Sequence, residues 1–129
     1  MTEHEMKNRT RHFALRVITL VKSLPKSQDA RVLGNQLLRS GTSVGANYRS
    51  ACRARSIPDF ISKISICEEE ADESLFWMEL ITEAGLISHK RMAEIMKEAS
   101  ELTAIFTASI KTAKQNSKNR SSIRNQSKI

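Results

Sequence analysis

Proline and glycine are scarce in this sequence, with two prolines and four glycines among 129 residues. Proline breaks helix interiors and glycine weakens them, so their scarcity permits long uninterrupted helices. Aromatic residues make up only 5% of the chain, which argues against a strand-rich fold. No run approaches the ~20 apolar residues that span a bilayer, so no membrane segment is expected. The stretch Met1–Arg16 carries Glu3, Glu5, Lys7, Arg9 and Arg11 and has no apolar signal region. Export is therefore not expected, and a cytoplasmic location is.

The residues of catalysis are equally sparse. Cys52 and Cys67 have no CxxC spacing and no histidine pair beside them, so both are expected to be free, buried thiols. His4, His12 and His89 fall in terminal or turn regions without the i,i+4 pairing that a zinc helix uses. There is no GxSxG, GxGxxG or GxxxxGK[ST] pattern. Gly41 and Gly45 have no strand before them and no Lys-Ser/Thr after them, and Ser43 has no organised base. Glu68, Glu69, Glu70, Asp72 and Glu73 form an acidic cluster, but a di-iron bundle also needs Glu-x-x-His motifs, which are missing. No enzyme activity, catalytic residue, cofactor or metal is expected. The acidic cluster reads as a face that is solvated or paired with arginine.

Helical periodicity, by contrast, is plentiful. Phe13, Val17, Leu20 and Leu24 share one face of a first helix over about Thr10 to Ser23, stopped by Leu24-Pro25. A second segment, about Asp29 to Arg55, carries Ala30, Leu33, Leu37, Ser40, Val44 and Ala51 at helical spacing. Gly41 lies inside it and predicts either a kink or two helices in tandem. Ser56-Ile57-Pro58-Asp59 has the composition of a helix start. The third helix follows from Pro58 to about Ala84, with Phe60, Ile64, Cys67, Ala71, Ser74, Met78 and Ile81 in a four-three stripe. The fourth runs from about His89 to Lys111 on Met92, Met96, Ala99, Thr103, Phe106 and Ile110, supplemented by Ile95 and Leu102. Four amphipathic helices on short turns predict an all-α, antiparallel up-down four-helix bundle over residues 1–112. Residues 113–129 lose the pattern and are expected to form a basic tail, disordered when free. Ile18, Ile57, Ile61, Ile66, Trp77 and Leu80 lie off the main stripes, either widening the core or bordering a subunit interface.

Charge is unevenly distributed. The net charge is +7 overall, with a surplus of basic residues up to Arg55 and of acidic residues from Ser56 to Ile110. The tail has no acidic residue at all. Adjacent helices of opposite sign can pair, and Arg39 with Glu70 and Glu73 is the expected structural set, joined by Arg49 and Arg53. Arg49, Arg53 and Arg55 cluster late in the second segment, with Arg49 and Arg53 on one face. Lys111, Lys114, Lys118, Arg120, Arg124 and Lys128 make a basic arm. These nine cations are the candidate nucleic-acid contacts, able to neutralise phosphates with little sequence discrimination. No aromatic residue interleaves with the arm, so base stacking is not indicated, and a purely solubilising arm is the alternative.

The segment Gln36-Leu37-Leu38-Arg39-Ser40-Gly41-Thr42-Ser43-Val44-Gly45-Ala46-Asn47-Tyr48-Arg49 resembles the signature of the bacterial four-helix-bundle proteins encoded in 23S rRNA intervening sequences. Asp59–Ile64 and Glu70–Met78 match its second block in the same order and spacing. The resemblance spans roughly residues 10–110 and extends to the related accessory proteins of diversity-generating retroelements. It implies a homo-oligomer, a ring-like pentamer, with RNA or DNA and a nucleic-acid enzyme such as a reverse transcriptase as partners. It brings no catalytic residues and assigns Arg39, Asn47, Glu70 and Glu73 structural places. One departure is Glu69, where the family commonly has lysine, which leaves more of any phosphate contact to the tail. Sequence alone thus supports an oligomeric nucleic-acid accessory protein, with a protein-interaction scaffold as the alternative.

Overall fold

The computed structural model describes the backbone of residues 1–127 and the side chains of residues 1–120. Four helices follow one another in the chain and pack antiparallel: α1 (Glu3–Lys22), α2 (Gln28–Ala51), α3 (Ile57–Glu83) and α4 (His89–Ser127).

Helix α1 begins well before the expected Thr10. Thr2 accepts a hydrogen bond from the Glu5 backbone N–H at 3.1 Å, and the Glu5 carboxylate accepts one from the Thr2 N–H at 3.2 Å. This reciprocal capping satisfies two otherwise orphaned donors. The extra turns carry the buried Met6 and Thr10, which extend the stripe of Phe13 and Val17 backwards at the same spacing. The Thr10 hydroxyl is absorbed by the helix itself, donating to the Met6 carbonyl.

Helix α2, capped by Ser27, runs without interruption through Gly41, so neither a kink nor a second helix occurs there. The glycine serves proximity instead. A Cβ on Gly41 would sit 2.8 and 2.9 Å from the two Val17 methyls, and one on Gly45 would sit 3.4 Å from the Thr10 carbonyl oxygen. Small residues at these positions let α1 lie close against α2. The helix ends at Ala51, one turn short of the expected Arg55, and Arg53 and Ala54 donate in a tight turn to the carbonyls of Ser50 and Ala51. Arg53 therefore lies off the helix and does not share a helical face with Arg49.

Ser56 caps α3 by accepting from the Asp59 N–H, with Pro58 in the first turn. At its end Gly85 takes φ of 75°, Leu86 donates to the Ile81 carbonyl and Gly85 to that of Thr82. This is a Schellman closure, which needs a residue free to adopt positive φ. Helix α4 continues beyond the expected boundary at 112 to Ser127. No proline or glycine follows Gly85, and the cations of this segment lie at the helix end that favours positive charge. The core nevertheless stops near Ile110, and Lys111, Lys114, Lys118 and Arg120 are exposed.

The core draws on all four stripes, including Phe13, Val17, Leu37, Val44, Ile64, Met78, Ile81, Met92, Leu102 and Phe106. On α4, Ile95 and Leu102 are buried while Met96 and Thr103 are only half-buried, so the inward face is rotated slightly from the expected one. Ile18, Ile57, Ile61, Trp77 and Leu80 sit half-buried at the rim, and Ile66 is exposed. Ser40 and Ser74 meet in the dry α2–α3 contact, their hydroxyl oxygens 2.9 Å apart. Helix α2 packs closely on α3 and α1, and α3 on α4, while the backbones of α1 and α4 lie farther apart than those of the other neighbouring pairs. Among the described residues no helix is long and apolar enough to cross a membrane.

Candidate nucleic-acid interface

Three basic features emerge from this packing. The first is a cleft of about 510 Å³ between α1 and α2. Its floor is made of small residues, Gly45, Ala46, Ala14 and Thr42, for the same reason that the two helices approach so closely. His4, Lys7 and Arg11 line it from one face of α1, at the spacing of consecutive helical turns, and Arg49 faces them from the last turn of α2. Asn8 joins them, its side-chain nitrogen 3.2 Å from the His4 ring. Lys7 also reaches Glu3 at 3.4 Å, but both side chains are largely solvated, so the pair is weak and readily exchanged.

Of the residues expected from sequence, only Arg49 belongs to this cleft. His4 and Lys7 lie ahead of the Thr10 start that periodicity predicts, so the sequence pattern does not align them with Arg11. The available signal was the Thr2-x-x-Glu5 capping pattern, which carries the helix back far enough to align them.

The second feature lies where the α2–α3 turn meets the extension of α4. Arg55 and Arg120 line a cavity of about 590 Å³, together with Tyr48, Cys52, Phe60, Asn116 and, on the acidic side, Glu3. Burial pushes the Cys52 thiol up, and a hydrogen bond from Cys52 holds the Glu3 carboxyl below its ordinary value. Burial also raises the Tyr48 phenol, and deeper in the core it drives Cys67 to about 12. Both thiols are free. Neither is a poised nucleophile, since thiolate character is suppressed rather than promoted.

The third feature is the extension itself, which displays Lys111, Lys114 and Lys118 to solvent. The side chain of Arg124 and the whole of Lys128 lie outside the described residues. Arg53 stands alone in the turn, and neither it nor Arg49 pairs with α3 among the described residues. Arg39 does pair with α3, reaching Glu70 at 3.1 Å and Glu73 at 2.5 Å. The guanidinium is 49% exposed, so this fork fixes the register of α2 on α3 more than it stabilises it. A tighter clamp joins α1 to α4. Arg9 donates through Nε and Nη2 to both oxygens of Glu98, at 2.9 and 2.6 Å, and also reaches Glu101. It holds the Glu98 carboxyl below its ordinary value, while Glu98 raises that of Arg9.

No group of three or more metal-ligating side chains converges among the described residues. Helix stripes, close-packing glycines and cation-lined clefts together define an all-α four-helix bundle with basic clefts between its helices. The profile of the 23S rRNA-intervening sequence protein family matches residues 2–108, and the chain belongs to that family. It is also similar to a protein of unknown function from the S23 ribosomal protein family of Bacteroides thetaiotaomicron VPI-5482, known from a crystal structure. The two are 37% identical with a TM-score of 0.77, over 81% of this chain and 97% of that one. No curated protein matches the chain.

Proposed function

We propose that this chain is a non-enzymatic, self-associating accessory protein that binds nucleic acid, RNA or an RNA–protein complex, through its basic surfaces. The observation that carries this reading is the α1–α2 cleft, where His4, Lys7, Arg11 and Arg49 from two helices face one opening. Its small-residue floor gives no aromatic platform for bases, which suits contact with phosphates rather than base readout. Lys111, Lys114, Lys118 and Arg120 extend the cationic surface, and Arg53 and Arg55 lie in the turn beside Arg120's cavity. The family resemblance adds a ring of five copies and a nucleic-acid enzyme such as a reverse transcriptase as partner, and the charged N-terminal stretch suits a cytoplasmic setting.

The test is fluorescence anisotropy on generic RNA and DNA at low and physiological salt. Wild type should bind with affinity that falls steeply with salt, because each neutralised phosphate releases counterions. Lys7→Glu with Arg49→Glu should weaken binding at least tenfold and flatten the salt slope. Unchanged affinity in that variant would remove the cleft from the interface. Absence of binding even at low salt would leave the second reading, a protein-interaction scaffold, which the apolar α1–α4 seam favours.

A further inference from the structure

We propose that the open seam between α1 and α4 is a docking groove for the outer stripe of α3 from a second copy of this chain. The inference deepens the self-association part of the proposed function, on which it rests, and assigns the two surfaces that meet.

The groove exists because the backbones of α1 and α4 stand apart where His12–Ser23 faces Ile87–Ile95, leaving a channel of about 450 Å³. Its floor is apolar, built from Leu20 of α1 and from Ile87 and Ile95, which are buried beneath it. Its charged lining is of one sign: Arg16 from α1 and Arg91 from α4, with His12 beside them. Arg91 is anchored only by a long contact to the Ser23 hydroxyl at 3.4 Å. Among the described residues no carboxylate lines the channel itself, and the nearest counter-charge to Arg16 is Glu98, which is already clamped by Arg9.

The complementary surface is on α3. Its outermost line reads Ile66, Glu69, Asp72, Phe76, Glu79 and Glu83, all exposed and spaced along a single helical face. Phe76 is 49% exposed and Ile66 39%, two of the five large apolar side chains that are exposed among the described residues, with Leu15 of the groove itself another at 55%. Phe76 is braced by an edge contact to Trp77, with ring centroids 5.0 Å apart, so it is held outward rather than left to fold down. None of the four carboxylates takes part in an ion pair among the described residues.

An apolar channel flanked by cations therefore meets, elsewhere on the same chain, an apolar ridge flanked by anions. One copy cannot satisfy both, because α1 and α3 are diagonal in the bundle and make no contact. A contact between two different surfaces of identical chains runs head to tail, and repeated rotation closes it into a ring. Opposite charges on the two faces also fix which surfaces meet and disfavour groove-to-groove and ridge-to-ridge encounters.

The experiment is light scattering coupled to size exclusion on the full chain, with folding checked by circular dichroism. The groove variant is Arg16→Glu with Arg91→Glu, and the ridge variant is Asp72→Arg with Glu79→Arg. Wild type should elute at a multiple of 14.6 kDa, and each variant alone at about one chain mass. Mixing the two variants should restore association well beyond one chain mass, since in alternating chains every groove meets a ridge of opposite sign, although strict alternation cannot close a ring of five; misfolding cannot produce this recovery. Phe76→Ser, which carries no charge change, should also dissociate the assembly. A monomeric wild type would overturn self-association altogether and leave the groove to a different protein. An oligomeric wild type whose mass survives in both variants, or variants that fail to recover on mixing, would overturn only this assignment of surfaces.

Discussion

Two glycines in α2 show how much a single Cβ can decide. At Gly41, alanine would bring a gain in helix propensity of about 1 kcal/mol, but its Cβ would press on both Val17 methyls at once. No rotation of Val17 clears both contacts, and overpacking a tight core costs about 1–3 kcal/mol. Gly41→Ala is therefore expected to lower stability to denaturant, and Val17→Ala in the same chain to recover part of the loss. Gly34→Ala meets the tip of Leu24 at 2.9 Å, a side chain in the turn after α1 that can swing aside, and touches a Val21 methyl at an ordinary 3.4 Å. It is expected to be neutral or stabilising in the same measurement. Glu98 offers a second residue-scale prediction. Because Arg9 holds its carboxyl below the ordinary 4.5, the clamp stabilises fully above that value and is lost as pH falls through the depressed one. Melting temperature should drop in acid below about pH 4.5, and Glu98→Gln should be less stable at neutral pH with a flatter acid limb.

At the scale of the element, the first turn of α1 links folding to binding. Thr2→Ala removes the acceptor for the Glu5 N–H, a loss of about 1 kcal/mol for an N-cap. The frayed turn carries His4, so phosphate affinity should fall more than the small change in global stability would suggest, as anisotropy beside thermal melting can show. The same helix explains what could be read in the sequence. Stripes such as Ile64, Cys67, Ala71, Ser74, Met78 and Ile81 are long and strictly periodic, and every one of these residues is buried. The start of α1 was harder, because its first turns hold mostly polar residues and only Met6 continues the stripe. Gly41 misled because a glycine that breaks a helix and one that admits a neighbour look alike until the neighbour is known. The Arg39 fork to Glu70 and Glu73 was legible as opposite charge on adjacent helices. The α1–α2 cleft was not, since its cations lie at the far ends of that helix hairpin and share one sign, so nothing in the sequence pairs them.

At the scale of the whole molecule, α4 is the longest element, 39 residues or about 58 Å, and its described side chains beyond Ile110 add nothing to the core. Deleting residues 114–129 is therefore expected to leave the melting temperature within a few degrees of wild type while weakening affinity for RNA and DNA. A collapse of thermal stability on truncation would show instead that the extension holds the body together. Charge is arranged at the same scale, with α3 acidic between two more basic neighbours.

The sparse α1–α4 seam has a thermodynamic consequence. Helix α1 lies close against α2 on one flank, while toward α4 its backbone stands farther off and is bridged by the Arg9 clamp. If a second chain fills the seam, part of each bundle's closure comes from its neighbour, and stability becomes a matter of mass action. The midpoint of unfolding would then climb with protein concentration, and dilution alone would loosen α1 before any other helix.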